Sequence, residues 1–257
     1  MRLKQQGFTL IELVIVIIIL SILGIATSSY IGKGVSIYSD ISERDRELNS
    51  VRFAMERLRR DVLNALPNSL IVSSIIPGKA NVGRCLELTP IIASTLYGNG
   101  FPIDPISASS AAITTITPFD NNVIATDDLA VVYLLNSNEL NPAAGSSPRK
   151  VHAVNGVNNN ILTFKDNLDV SFTLGSPSKR LYFIRDTLTY CFIGSNLYRT
   201  QSDKPDDDVL MAKDITGEFI VLDPTLQRNG LAKVTFMLDF DEQEVPIEQT
   251  LHVNNVP

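Results

Sequence analysis

The sequence predicts an α+β fold in which one long N-terminal helix packs on a mainly antiparallel β domain. Three observations predict it: an apolar run at residues 8–26, apolar positions at helical spacing in residues 37–62, and short β-prone runs separated by turn residues after Pro67. The predicted parts are a leader at residues 1–7, a transmembrane helix at 8–29, a second half of the same helix at 30–66 and a globular β-rich domain at 67–257.

The apolar run is long enough to cross a membrane as a helix, which takes roughly 20 residues. It contains one ionisable side chain, Glu12, near its start. A carboxylate in hydrocarbon costs at least ~2.5–3.5 kcal/mol on insertion scales, so Glu12 requires a partner. Arg2 and Lys4 precede the run, and the positive-inside rule keeps that end in the cytoplasm.

Three interpretations of this N-terminus compete. A secretory signal peptide would offer Gly24-Ile25-Ala26 as a cleavage site, but the charge inside the apolar run and its length argue against it. A plain membrane anchor explains the orientation but not the order of residues. The third interpretation is a resemblance: a basic leader, Gly7, Phe8, Thr-Leu-Ile-Glu and an apolar helix resemble the class III signal of type IV prepilins and type II secretion pseudopilins.

The resemblance implies that a prepilin peptidase cuts between Gly7 and Phe8 and that the new N-terminus at Phe8 is methylated. Glu12 lies one helical turn after Phe8, and in the family that carboxylate is thought to meet the free amine of a neighbouring subunit's first residue. Two charges in a dry helix bundle stabilise each other most by pairing. The alternative for Glu12 is a protonated carboxyl at the interface.

The resemblance also implies partners and a location. The expected partners are other minor and major pilins through the N-terminal helix, the prepilin peptidase and the inner-membrane assembly platform. The expected location is the bacterial inner membrane, with a single span and the C-terminal domain in the periplasm. Incorporation into a pilus at the cell surface is a further expectation.

The helix is predicted to continue beyond the membrane and to end at Pro67. Ser28, Ser29, Gly32 and Gly34 weaken helix propensity, so a bend is expected there. An amphipathic pattern follows, with apolar positions at Ile37, Ile41, Leu48, Val51, Met55, Leu58 and Val62. The charged residues on the other faces are interpreted as a solvated surface.

The remainder is predicted to form strands and two loops. The predicted strands are residues 70–76, 85–88, 112–117, 129–135, 160–164, 181–185, 188–193, 197–200, 217–222, 232–239 and 247–253. Segments 96–110 and 136–159 are predicted loops, which either bind something or simply vary. A pilus-tip adhesin is therefore an alternative, although Tyr97 and Phe101 are the only aromatic residues that these loops offer for stacking on a sugar.

Cys85 and Cys191 are the two cysteines of the chain. In the periplasm they would meet conditions under which disulfides form. A bridge closing a loop of about 100 residues is worth roughly 4.7 kcal/mol in the chain-entropy model. The bridge is the favoured interpretation, and two buried free thiols are the alternative.

The sequence offers little catalytic chemistry. The net charge of −6 argues against a nucleic-acid partner. No nucleophile, zinc-protease or phosphate-loop motif occurs, and His152 and His252 lie far apart in sequence, so no enzyme is expected.

Asp206, Asp207 and Asp208 are a candidate calcium site, with a solvated acidic turn as the favoured interpretation; no other cofactor is expected.

Less specific similarities outside the N-terminal signal indicate which group of pilins the chain resembles. Residues 51–62 are similar to the larger minor pilins and pseudopilins, the J-type and PilW-like group. Residues 83–88, 197–199 and 252–257 are similar to a minor pilin of the mannose-sensitive haemagglutinin (MSHA) pilus system. This implies a structural subunit that primes or caps a pilus. A J-like pseudopilin of type II secretion is the close alternative.

Overall fold

The computed structural model describes residues 9–75, 82–103, 112–115, 123–140, 149–165, 170–222, 230–240 and 243–254. The chain divides into two compact units, Met1–Asn49 and Ser50–Pro257. One α-helix, α1 (Leu10–Leu63), provides the described structure of the first unit and continues into the second. The predicted combination of one long apolar helix with a mainly antiparallel β domain is confirmed.

Helix α1 runs without interruption through Gly24, Gly32 and Gly34, where the sequence indicated a weak point. Within the apolar part, the Ser21 hydroxyl donates to the Ile17 carbonyl at 2.8 Å, one turn back. Thr27 makes the same bond to the Leu23 carbonyl at 2.7 Å. These two hydroxyls are thus satisfied within the helix, as polar groups in an apolar environment must be.

The helix ends at Leu63, before the predicted Pro67, because the next residues pair with another segment. The Leu66 amide donates to the Thr89 carbonyl at 2.7 Å, and the Asn64 carbonyl accepts from the Ile91 amide at 3.0 Å. Asn68 then adopts a left-handed conformation with φ of 64°, which asparagine tolerates better than most residues.

Fourteen strands are described in the second unit. In chain order they are β1 (Ile71–Ile75), β2 (Val82–Leu88), β3 (Ile91–Leu96), β4 (Ala112–Thr114), β5 (Leu129–Val131), β6 (Val151–Asn158), β7 (Ile161–Phe164), β8 (Arg180–Ile184), β9 (Leu188–Ile193), β10 (Asn196–Gln201), β11 (Lys204–Lys213), β12 (Ile215–Leu222), β13 (Leu231–Phe240) and β14 (Gln243–His252). A 3₁₀ helix, Ser137–Leu140, follows β5. All pairings between these strands are antiparallel.

The strands form three sheets. The first has the order β1-β2-β9-β10-β11, and the second is the meander β12-β13-β14. The third has the order β3-β8-β5-β6-β7-β4, and a bridge between Tyr97 and Thr115 joins the ends of its two outer strands. This sheet therefore curls back on itself around an aromatic-rich core that includes Phe101, Phe172 and Phe183.

The first two sheets pack face to face through aromatic rings. The ring of Phe192 on β9 lies 5.0 Å from that of Phe219 on β12 and 5.7 Å from that of Phe236 on β13. Gly217 allows this approach, because a Cβ there would meet the Thr235 carbonyl oxygen and the Phe192 ring. Glycine at this position is thus a requirement of packing rather than of a turn.

Three strands were missing from the prediction, and their burial and position explain why. β6 lies inside the predicted loop 136–159: its Asn and Gly residues resemble a turn, yet it pairs with β5 and β7 and its first residues are buried. β11 contains Pro205 and three aspartates, which an edge strand tolerates. β3 begins just after Pro90 and lies at the edge of the third sheet, with β8 as its one neighbour among the described strands.

Candidate functional site

The N-terminal part of α1, residues 10–26, is an apolar rod that contains one acidic side chain, Glu12. Leu13 donates its amide to the Thr9 carbonyl at 3.3 Å, which places Glu12 in the first turn. A negative side chain there interacts favourably with the helix dipole. Gly7 and Phe8, the predicted processing residues, lie outside the described residues.

This rod exposes its large apolar side chains all round. Their exposed fractions run from 40% at Val14 to 83% at Leu10, and no part of the most apolar window is buried. Among the described residues, α1 is the one helix long and apolar enough to cross a membrane. A helix that is apolar on every face is covered by lipid or by other helices. These properties fit single-pass membrane anchoring.

The other end of α1 belongs to the β-rich unit and is held there by a buried face. Val51, Ala54, Leu58 and Val62 are fully buried and recur at helical spacing. Phe53, between them in sequence, is 62% exposed. Of the predicted apolar face, Val51, Leu58 and Val62 are buried, whereas Ile37 and Ile41 are 58% and 55% exposed.

A polar cluster formed by Asp61, Tyr190 and Arg199 fixes the same helix end to β9 and β10. The Asp61 Oδ2 atom accepts from the Tyr190 hydroxyl at 2.6 Å and from Arg199 Nε at 2.9 Å. The Asp61 and Arg199 side chains are only 13% and 16% exposed, and Tyr190 is fully buried. Burial, with the Asp61 charge added, raises the pKa of Tyr190 far above its ordinary value.

Sequence reasoning missed this cluster because Asp61 resembles a surface residue. Its position gives one usable signal: it lies directly before Val62 and three residues after Leu58, at the edge of the buried face. Its partners come from strands about 130 residues later, and no local pattern links them.

The structure joins Cys85 and Cys191 in a disulfide. The two residues lie directly opposite each other in the β2–β9 ladder, with their Cα atoms 4.1 Å apart, and both are buried. The bridge connects positions 106 residues apart in sequence and ties together two strands at the middle of the first sheet.

The three aspartates of the candidate calcium site lie in an edge strand instead of the predicted turn. The β10–β11 register shifts between the pairs Arg199–Val209 and Gln201–Lys204, so the three aspartates lie in an irregular part of this strand. The Asp208 carboxylate accepts a hydrogen bond from the Thr200 hydroxyl at 2.6 Å. Within the described ranges, no three acidic, histidine or cysteine side chains are grouped as metal ligands.

His152 and the loop aromatic residues are packed in the core, whereas His252 is exposed on β14. His152 is buried, lies 3.1 Å from the Ser171 carbonyl and places its ring edge-on to Phe172 at 4.7 Å. Tyr97 and Phe101 are also buried, with stacked rings 4.0 Å apart. They belong to the core of the third sheet, so they are not the exposed platforms that a sugar-binding loop requires.

Comparison with known proteins gives one family match. Residues 2–28 match the family described as the prokaryotic N-terminal methylation motif. Neither the curated proteins nor the solved structures contain a significant match to this chain. The matched residues include Gly7, Phe8 and Glu12, and they overlap the exposed apolar rod. With its prepilin-type methylation motif and its membrane-anchoring helix, the chain has the features of a type IV pilin-like protein.

Proposed function

We propose that this protein is a minor pilin that helps to prime or cap a type IV pilus of the MSHA type. It acts as a structural subunit and not as an enzyme. The observation that carries the proposal is the placement of Glu12 in the first turn of an exposed apolar helix that matches the methylation motif. The features similar to MshO, a minor pilin of the MSHA system, are residues 83–88, 197–199 and 252–257.

The proposed mechanism is an exchange of surroundings. Before assembly the apolar rod lies in lipid, and during assembly it enters a bundle made by the helices of sibling subunits. There the Glu12 carboxylate pairs with the amine of a neighbour's first residue, which sets the axial register between the two rods. At the other end, the Asp61 cluster and the buried face hold the helix to the β domain.

Processing gives the first test. We expect the mature protein to begin at Phe8 with a methylated amine, as read by mass spectrometry of protein isolated from cells. Replacing Gly7 with Val should leave the leader attached, because a branched side chain obstructs the bond to be cut. Ala26→Val is the matched control: it places a branched residue directly before a cut after Ala26, so it would block a signal peptidase but not a prepilin peptidase. An intact Met1 or a start at Thr27 in the unaltered protein would contradict the proposal.

Glu12 gives the second test. Replacing Glu12 with Val should strongly reduce surface pili, because the variant loses the pairing with the neighbour's amine, and ~1.4 kcal/mol of lost pairing already weakens that contact about tenfold. The measurement is a count of pili by electron microscopy, at matched levels of membrane-bound protein. Glu43→Val makes the same chemical change at an exposed position further along the helix and should leave the count unchanged. An unaltered count in the Glu12 variant would remove this residue from the mechanism.

A type II secretion pseudopilin of the J-like group would use the same N-terminal chemistry. Cross-linking through the apolar rod in cells separates the two functions, because the captured siblings would be pilus subunits in one case and secretion subunits in the other.

A further inference from the structure

A cleft of about 500 Å³ opens on the β-rich unit and has no part in the function proposed above. Its lining combines strand ends of the first and third sheets with the 3₁₀ helix Ser137–Leu140. Its volume lies within the range of ordinary small-ligand sites. The apolar part of the lining includes Leu129, Leu140 and Ile184, and the polar part includes Glu87, Ser137 and Asn138.

Glu87 is the unusual member of this lining. It lies on β2, two residues after the disulfide cysteine, and its carboxyl is half-buried. Burial raises the pKa of Glu87, and this is the only cause of its shift. In the described part of the chain, no hydrogen bond or ion pair reaches its carboxyl. A partly buried carboxylate without a partner is unfavourable, and a cation placed beside it would relieve the cost.

The other charges around the cleft are already paired. Arg185 also lines the cleft, but its positive charge is paired: it reaches the buried Asp128 with two nitrogens, at 2.6 and 2.9 Å, and donates to the Val123 carbonyl. Glu139, on the 3₁₀ helix, accepts from Lys150 at 2.9 Å. Beyond the rim, Asp186 accepts from the Gln201 amide. Glu87 is therefore the lining charge that a ligand can neutralise.

The walls of the cleft are held in place independently of any ligand. The Glu139 carboxylate accepts from the Leu135 and Asn136 amides at 2.8 and 3.3 Å, which fixes the start of the 3₁₀ helix. The Asp128 carboxylate also accepts from the Ala125 amide at 2.7 Å, so the Arg185 side is anchored too. A preformed cleft loses little conformational entropy on binding.

We propose that this cleft binds an alkyl chain ending in an ammonium group, of the size of a lysine side chain. The ammonium pairs with the Glu87 carboxylate, and the methylene stem lies against Leu129, Leu140 and Ile184. Ser137 and Asn138 offer hydroxyl and amide groups to the polar end of the ligand. The source is either a lysine of a protein partner or a free small amine. This inference does not depend on pilus assembly.

The test uses the full chain in nonionic detergent micelles and three probes followed by calorimetry. The probes are cadaverine, a glycine-flanked lysine peptide and the same peptide with norleucine, which has the stem without the charge. We expect the lysine peptide, cadaverine or both to bind at least about tenfold more tightly than the norleucine peptide. Binding of the peptide alone indicates a protein partner, and binding of cadaverine alone indicates a small amine.

Glu87→Gln should weaken binding of the charged probes at least about tenfold and remove its dependence on pH. In the unaltered chain, affinity should rise with pH through the pKa of Glu87, because the carboxylate forms in that interval. Glu244→Gln removes one negative charge from an exposed strand position and should change neither property. Equal binding by the Glu87 and Glu244 variants would overturn the proposal, because general attraction to an acidic chain would then suffice.

A measurement on the unaltered chain tests the proposal even if the Glu87 variant does not fold. A saturating charged probe should lower the pKa of the Glu87 carboxyl, as followed by carbon NMR with selective glutamate labelling. If no charged probe binds, or if one binds without moving this titration, the cleft is not an ammonium site.

Discussion

Breaking the Cys85–Cys191 disulfide should lower the free energy of unfolding by about 4 kcal/mol, close to the roughly 4.7 kcal/mol of the chain-entropy model. The effect is large because the bridge closes a loop between residues 106 positions apart, which restricts the unfolded chain strongly. Domains of this size are stable by only ~5–15 kcal/mol, so a substantial part of the total stability would be lost.

The measurement is urea unfolding of the chain in detergent, followed by tyrosine fluorescence, which is suitable because the sequence has seven tyrosines and no tryptophan. The oxidised protein, the reduced protein and the variant with alanine at both cysteines should be compared. The reduced protein keeps both sulfur atoms, so it separates the loss of the covalent link from the loss of packing in the alanine variant. Equal unfolding midpoints for oxidised and reduced protein would contradict the prediction.

Replacing Asp61 with Ala should cost about 3 kcal/mol of stability. The substitution leaves the buried Tyr190 hydroxyl and the largely buried Arg199 guanidinium without their shared acceptor, and unpaired buried polar groups are costly. Tyr190→Phe removes one donor and leaves the ion pair, so it should cost about 1–2 kcal/mol. The same urea titration measures both variants.

Glu56→Ala is the matched control for Asp61, on the same helix. Glu56 also pairs with arginines, and its pKa is lowered chiefly by the hydrogen bond from Arg60, but both side chains of this pair are exposed to solvent. Solvent screens such pairs, so the loss should be small. If Asp61→Ala and Glu56→Ala destabilise the protein equally, the Asp61 cluster is not what attaches the helix end.

The helix could be predicted from sequence because its signal is local. A continuous apolar run followed by positions such as Val51, Leu58 and Val62 at helical spacing admits few other structures, and α1 follows it to within three residues of the predicted end. The hairpin β9–β10 was equally accessible, since its turn residues lie between two apolar runs. Local propensity and tertiary packing agree at these places.

The parts of the fold and of the candidate site that could not be predicted depend on contacts between residues far apart in sequence. β6 carries asparagines and a glycine that normally indicate a turn, and its strand conformation depends on pairing with both β5 and β7. The closure of the third sheet likewise rests on the contact between Tyr97 and Thr115. The cleft at Glu87 combines two sheets and a 3₁₀ helix, and no spacing in the sequence indicates that these segments meet.

The strand order of the first sheet restricts when this protein can fold. β1 and β2 emerge from the ribosome early, yet β2 pairs on its other side with β9, about a hundred residues later. Such distant pairings are slow to form, because bringing the two strands together closes a long loop, which costs conformational entropy before the new contacts stabilise it. The first sheet therefore closes only after the chain has been made as far as β11. Until then its apolar strands lack their partners, and unpaired apolar strands are prone to aggregate.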